Sequence, residues 1–146
     1  MNALEIIATI IGIVGGTLGI IAFFKSKKTK ISFKGPFFGV GLPTGIQMVS
    51  FEILNKGNTT AYFTSSPSFI SEKKTAEGYP ILFPSDMNVN PKLPCKLEPS
   101  QKLSVCFPRE GFVESIKEWG FQKLQFFIKD DAGTTYESEW INTSKF

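Results

Sequence analysis

Residues 47–65 read QMVSFEILNKGNTTAYFTS, and the alternation within this stretch decides the fold. In its first half, Val49, Phe51 and Ile53 occupy every second position. Successive side chains of a strand point to opposite faces, so this period of two predicts a half-buried β-strand over residues 47–54. The residues that follow, 55–58 (NKGN), tolerate positive φ and predict a turn. Residues 59–65 are then expected to return as the next strand.

The same alternation recurs along residues 31–146, a stretch long enough to bury a core as one domain. Gly, Pro, Asn and Asp separate the alternating runs, as is typical of an all-β fold. With the two segments above, the pattern gives about seven strands, the size of a two-sheet sandwich. The further strands are predicted over residues 30–33, 79–83, 101–107, 122–129 and 134–141.

Two segments of the domain depart from simple alternation. Phe112, Ile116 and Trp119 are spaced four and three residues apart, which favours a short helix over residues 112–119. In the last strand, Trp140 is expected to share a face with the alternating residues before it. The final residues, 141–146 (INTSKF), are expected to fray, as chain ends commonly do.

Residues 6–24 read IIATIIGIVGGTLGIIAFF and carry no charge. A helix of these 19 residues spans roughly 28 Å, close to the hydrocarbon core of a bilayer at about 30 Å. A cleaved signal peptide would carry its positive charges before the apolar run and a small-residue cleavage site after it. Here the lysines follow the run, and a soluble core helix is rarely apolar on all sides. We therefore predict an uncleaved, single-pass transmembrane helix (a signal anchor) over residues 6–24, after a short tail over residues 1–5.

The net charge of +3 is concentrated beside that helix. Residues 1–30 hold four lysines against Glu5, whereas residues 31–146 hold 12 basic and 12 acidic groups. Because Lys-rich flanks stay in the cytoplasm, we predict the N-terminus outside and the domain in the cytoplasm. The balanced domain does not predict a nucleic-acid interface. The basic juxtamembrane segment, residues 25–30, holds Lys25, Lys27, Lys28 and Lys30.

Glycines recur at helical spacing within the apolar run. Gly12 and Gly16 are four residues apart, and so are Gly15 and Gly19. This G-x-x-x-G spacing lets two helix backbones approach closely, which favours self-association or pairing with another membrane protein. Glycine is also simply common in membrane helices, so both interpretations stay open.

The chain offers little for catalysis. It contains no histidine, which excludes His-dependent triads and His-ligated metals. Cys95 and Cys106 are too few for a standard zinc site, and in the cytoplasm they are expected to be reduced rather than paired. Phosphate-binding loops, dinucleotide fingerprints and nucleophile elbows are absent from the sequence. We predict that the protein is not an enzyme and needs no metal or cofactor.

Three segments resemble prokaryotic immunoglobulin-like or fibronectin III-like domains. VSFEILNKGNTTA (49–61) is similar to their second strand and turn, LEPSQKLSVCF (97–107) to a strand midway through, and LQFFIKDDAGTTYES (124–138) to their closing hairpin. The resemblance implies an Ig-like antiparallel β-sandwich of about seven strands behind one transmembrane α-helix. It suggests a small membrane-anchored bacterial or phage protein, and it carries no functional residues across.

The most unusual part of the domain is residues 35–45, GPFFGVGLPTG. One interpretation is a bent edge strand with both phenylalanines in the core. The other is a loop that dips into the headgroup region or binds a partner through Phe37, Phe38 and Leu42.

Two functions follow from these features. The first is a membrane-anchored Ig-like module that binds a protein partner at the membrane surface. The second is a structural or assembly subunit that associates through the glycine-faced helix, with a homo-oligomer among its forms.

Replacing Gly12 and Gly16 by leucine tests the association of the helix. The larger side chains hold the backbones apart, so association in a membrane reporter assay is expected to fall by about tenfold or more. Unchanged association would remove the hypothesis.

Overall fold

A computed structural model describes residues 2–26 and 28–146 of the chain. Its first element is helix α1 (Ala3–Ser26). Within α1, Glu5–Phe23 has a mean hydropathy of 2.4 and buries no residue against the rest of the protein. This segment is long and apolar enough to cross a membrane, as the sequence predicts.

The domain that follows is mostly β. Its strands are β1 (Ile31–Gly41), β2 (Ile46–Asn55), β3 (Ala61–Phe63), β4 (Ser68–Ser71), β5 (Ile81–Leu82), β6 (Asn88–Asn90), β7 (Cys95–Leu97), β8 (Lys102–Pro108), β9 (Lys123–Lys129) and β10 (Thr135–Asn142). Helix α2 (Arg109–Trp119) separates β8 from β9, and a 3₁₀ turn (Thr143–Lys145) follows β10. The described residues thus form ten strands, more than the seven expected, because strands of two to four residues are too short to show a period.

The strands form two four-stranded sheets and one two-stranded sheet, and every pairing is antiparallel. The first sheet has the order β1-β2-β8-β6 and the second the order β10-β9-β4-β5. β3 pairs with β7, so the expectation that residues 59–65 return beside β2 is wrong. The neighbours of β2 are β1 and β8.

Phenylalanine rings join the two larger sheets into one core. Phe51 of β2 stacks on Phe126 of β9 with centroids 4.5 Å apart, and both contact Phe69 of β4. Phe112 of α2 lies 4.9 Å from the Phe69 ring. The alternating residues of β2, β8 and β9 point into this core, as the sequence predicts: Val49, Phe51, Ile53, Leu103, Val105, Phe107, Leu124, Phe126 and Ile128.

Helix α2 forms where the four-and-three spacing predicts it. Phe112 and Ile116 are buried, and the helix ends at Gly120, whose φ of 64° is the left-handed conformation that glycine adopts without strain. Trp119 shares that spacing with Phe112 and Ile116 but is exposed, and its ring stacks on Phe121 with centroids 6.1 Å apart.

The end of the chain is packed rather than frayed, which corrects the expectation for residues 141–146. Ile141 and Phe146 are both buried, and the Phe146 ring lies 5.2 Å from that of Phe112. A bulge between Glu137 and Trp140 shifts the register of β10 against β9. The shift turns Ile141 inward and leaves Trp140 half-exposed, so the simple alternation predicted for this strand is broken.

The side chain of Asn55 stabilises the turn through which the chain leaves the first sheet. It is fully buried, and its Nδ2 donates to the carbonyls of Thr59 (2.8 Å) and Leu97 (2.9 Å). Its Oδ1 accepts from the amide of Gly57 at 2.9 Å. One buried amide thus holds the turn and the neighbouring β7 strand together.

We expect Asn55→Ala to lower the free energy of unfolding by about 2–4 kcal/mol, because three backbone groups lose their partner in a buried site. Denaturant unfolding of the full chain in detergent measures the change. Asn88→Ala is the matched control, since Asn88 is exposed, and its effect is expected within about 0.5 kcal/mol. Equal effects of the two substitutions would contradict this role of Asn55.

Candidate functional site

The hairpin of β1 and β2 extends beyond the core. Phe38 lies opposite Val49 and Val40 opposite Gln47 in the strand register. Residues directly opposite one another share a face of the sheet, so Phe38 and Val40 continue the face that buries Val49. Val49 is fully buried, whereas Gln47, two residues nearer the tip of the hairpin, is exposed. The packing of the core against this face therefore ends between these two residues.

β1 is a bent edge strand, which agrees with one of the two interpretations of residues 35–45 given by the sequence. β1 is the outer strand of its sheet, and its register against β2 shifts between Lys34 and Phe37. At the bend, Gly35 has a φ of 130°, and a Cβ there would lie 2.9 Å from the carbonyl oxygen of Ser50. Glycine is therefore required at this position.

The expectation that both phenylalanines are core residues is wrong. Both lie beyond the shift in register, toward the tip of the hairpin, where about half of each side chain is exposed. We name the exposed apolar residues at this end the hairpin patch; Phe38 and Val40 share one face of the hairpin, and Phe37 and Ile46 lie on the other. It consists of Phe37 (46% exposed), Phe38 (55%), Val40 (61%), Leu42 (90%) and Ile46 (45%).

Arg109, the sole arginine of the chain, is the first residue of α2 and lies beside the hairpin patch. Its Nη1 donates to Gln47 Oε1 at 2.8 Å, and its Nε donates to the backbone oxygen of Phe146. Its guanidinium carbon lies 5.9 Å from the centre of the Phe38 ring, a cation–π contact. As the first residue of α2, Arg109 sits at the positive end of the helix dipole, which disfavours a cation. The two hydrogen bonds and the cation–π contact stabilise the guanidinium there and offset its repulsion by the helix dipole.

A groove of about 410 Å³ opens beside Arg109. Phe38, Val40, Met48 and Phe146 supply apolar surface to it, and Arg109 and Gln47 supply polar groups. A second cavity of about 580 Å³ lies toward α2, bordered by residues 44–47 and by α2 residues from 109 to 117. This chemistry suits an apolar side chain that carries a carbonyl or carboxylate group nearby.

The other predicted site residues lie elsewhere. Lys28 and Lys30 are exposed where the chain enters the domain, while Lys27 and the side chain of Lys25 lie outside the described part of the structure. Around the four helix glycines, nothing lies within 4 Å of the position that a Cβ would take. The structure thus does not bring the helix glycines and the hairpin residues into one site.

Cys95 and Cys106 are free thiols in the structure. Each is partly buried, and they belong to different sheets. Burial raises the pKa of both thiols, which disfavours the reactive thiolate near neutral pH. Within residues 2–26 and 28–146, no group of three or more His, Cys, Asp or Glu side chains is arranged to hold a metal ion.

Sequence reasoning missed Arg109 and Phe146. The one available signal for Arg109 was its being the sole arginine in a chain with 16 basic residues. Phe146 belongs to the segment that the sequence predicts to fray, and the sequence holds no periodic pattern that would place it in the core.

The chain is thus a mostly β, antiparallel protein with one apolar N-terminal helix and a hairpin patch beside a single arginine. Comparison of the sequence with models of known protein families and with curated proteins finds no match.

We expect Arg109→Lys to loosen the hairpin end. A lysine ammonium cannot reproduce the two directed hydrogen bonds to Gln47 and Phe146, and the loss is expected to be about 1–3 kcal/mol. Hydrogen exchange of the full chain in detergent should accelerate at residues 38–48 and 143–146. Lys117→Arg is the control, because Lys117 is exposed on the same helix, and it should leave these rates unchanged. Equal rates in Arg109→Lys and the unsubstituted protein would contradict the bridging role.

Proposed function

We propose that the protein is a single-pass membrane-anchored binding module whose Ig-like β-sandwich engages a protein partner through the hairpin patch. One observation carries the proposal: a face continuous with the hydrophobic core is left uncovered at Phe38 and Val40. A cluster of exposed apolar side chains is typical of protein interaction sites. Because residues 31–146 carry no net charge, recognition would depend on shape and apolar contact more than on long-range attraction.

The strand order supports the Ig-like part of the proposal. Constant-type Ig domains have one sheet in the order A-B-E-D and a second sheet built from C, F and G, to which variable-type domains add C′. If β1 is strand A, the first sheet here reads A-B-E-D and the second reads G-F-C-C′. The β3–β7 pair and α2 are then additions in the connections between these strands.

The lysines after α1 support the membrane part of the proposal. The bias of basic flanks toward the cytoplasmic side favours a domain in the cytoplasm and an N-terminus outside. β1 begins at Ile31, so the residues of the hairpin patch from Phe37 to Leu42 lie about 20–36 Å along the strand from the point where the chain enters the domain. This separation favours a protein partner over the headgroups next to α1 as the ligand of the patch.

A photocrosslinking residue at position 42 tests the proposal in native membranes. Leu42 is the most exposed member of the hairpin patch, so irradiation is expected to give one discrete protein adduct, identified by mass spectrometry. Val40→Asp should reduce that adduct by about tenfold, because a carboxylate is disfavoured in an apolar interface. An adduct of twice 16.2 kDa would identify a second copy of the chain as the partner.

The matched control places the same crosslinker at Phe83, an exposed aromatic residue outside the patch. The discrete adduct should be absent there. Equal adducts at positions 42 and 83, or an adduct insensitive to Val40→Asp, would overturn the proposed binding surface.

The second candidate is an assembly subunit that associates through α1. It is favoured by the open space at Gly12, Gly15, Gly16 and Gly19, where the described helix has no neighbour within 4 Å. The crosslinking experiment separates the two functions when it is repeated in the Gly12→Leu, Gly16→Leu background. An adduct at position 42 that persists there supports the hairpin patch as the binding element, and loss of the adduct supports the helix.

A further inference from the structure

Residues 28–30, between α1 and β1, are fastened to the turn between β2 and β3. The fastening is a short ladder of backbone and side-chain hydrogen bonds, which we name the clasp. Its bonds run from Lys28 N to Asn58 Oδ1 (3.0 Å), from Asn58 N to Lys28 O (3.2 Å), from Lys56 N to Lys30 O (2.7 Å) and between the hydroxyls of Thr29 and Thr59 (2.9 Å). The described part of α1 ends at Ser26, so the clasp holds the domain within a few residues of the helix.

Gly57 makes the clasp possible. A Cβ at this position would lie 2.2 Å from the carbonyl oxygen of Lys28 and 2.5 Å from the amide nitrogen of Lys30. Both are backbone atoms, which cannot rotate away as a flexible side chain can. Any larger residue at position 57 must therefore displace the segment that joins helix and domain.

Three connections of the domain lie at the same end as the clasp. The turn at residues 56–60 belongs to the clasp itself. The amide of Ser100 donates to the Asn55 carbonyl at 2.8 Å, which places residues 91–101 beside that turn. The amide of Asp131 donates to the Tyr62 carbonyl at 2.9 Å, which brings residues 129–134 to the same end. If α1 spans a bilayer, this end of the domain faces it.

The two ends of the domain differ in charge. The clasp end, residues 28–30, 56–60, 91–101 and 129–134, carries six lysines and three acidic groups, a net charge of +3. The opposite end, residues 42–45, 72–80, 109–122 and 143–146, carries five basic and five acidic groups, a net charge of zero. The lysines of the clasp end are all exposed: Lys28, Lys30, Lys56, Lys92, Lys96 and Lys129. One of them, Lys96, is paired with Glu98 at 2.7 Å.

We propose that the clasp end rests on the membrane that α1 enters and that its lysines bind anionic phospholipid headgroups there. The inference rests on the membrane anchoring proposed above. Attraction between lysines and anionic lipid acts only within about a Debye length of the surface, roughly 8–10 Å at physiological salt. The clasp meets that condition because it fastens the chain to the domain from Lys28 onward, two residues after the described end of α1.

The proposal is tested with the full chain in nanodiscs of zwitterionic lipid and in nanodiscs that include anionic phosphatidylglycerol. Backbone hydrogen exchange at residues 55–60, 91–101 and 129–134 is expected to be about fivefold slower in the anionic discs, the factor that corresponds to about one lysine–lipid contact. High ionic strength should remove the difference, because it screens the attraction. Replacing Lys28, Lys30 and Lys56 by glutamine should remove it as well.

The matched control replaces Lys73, Lys74 and Lys117 by glutamine, which removes the same charge from the opposite end of the domain. The difference between the two kinds of disc should survive in that variant. Equal exchange in both discs, or equal loss in the two triple variants, would overturn the inference and leave the proposed anchoring intact. Failure of the full chain to enter either disc would overturn the anchoring itself, and this inference with it.

A second variant separates the clasp from the charges. Gly57→Ala keeps every lysine but cannot keep the clasp, so exchange at residues 28–31 and 55–60 should accelerate and the protection by anionic lipid should fall. Gly111→Ala is its control, because a Cβ there meets nothing within 4 Å. Slow exchange in β8 and β9 of both variants verifies that the core is folded. Full lipid protection in Gly57→Ala would show that the clasp does not orient the domain.

Discussion

The ring of Phe69 is the contact on which the domain depends, since it touches five other phenylalanines from five separate parts of the chain. These rings belong to β2, β8, α2, β9 and the C-terminal segment, so a single side chain of β4 bridges both larger sheets and the helix. Aromatic pairs at these distances contribute about 0.5–1.5 kcal/mol each beyond the burial of their area. The high phenylalanine content, 15 residues in 146, is therefore used mainly to connect elements that are remote in sequence.

Phe146 connects this core to the hairpin patch. Its ring packs against Phe69 and Phe112, while its backbone oxygen accepts a hydrogen bond from Arg109. Arg109 in turn contacts Gln47 and the Phe38 ring on the hairpin. A guanidinium with two acceptors in different segments can hold both in place only if one of them is already fixed. The buried ring fixes the first, and the hairpin end is positioned from it. The patch is thus exposed to solvent but supported from the core.

The parts of this structure that the sequence predicted correctly are those with a local period. The alternation of β2, β8 and β9, the spacing in α2 and the apolar run of α1 each depend on neighbours along the chain. Each part that the sequence did not predict depends on contacts between residues that are distant along the chain. β3 pairs with β7 where the amide of Asn55 reaches Leu97, a partner 42 residues away. The bulge in β10 reverses which residue faces the core, and no pattern in the sequence marks it. Arg109 positions the hairpin end only because Phe146 is packed in the core. The composition of the chain does not show that packing.

The two ends of the domain are chemically distinct, and the whole-chain charge conceals this. Residues 31–146 are neutral in sum, yet with Lys28 and Lys30 the basic excess gathers at the clasp end, while the uncovered apolar surface lies at the far end of β1. Electrostatic attraction to a bilayer acts over about a nanometre and tolerates many geometries, whereas apolar recognition requires contact and a defined shape. With the proposed anchoring, electrostatic attraction to the bilayer can set the orientation of the domain. Apolar recognition can then set which partner the domain binds. This division needs a rigid connection between them, because a flexible linker after α1 would let the patch sample every direction. Gly57 permits the domain side of that connection, because a Cβ there would collide with the backbone of residues 28–30.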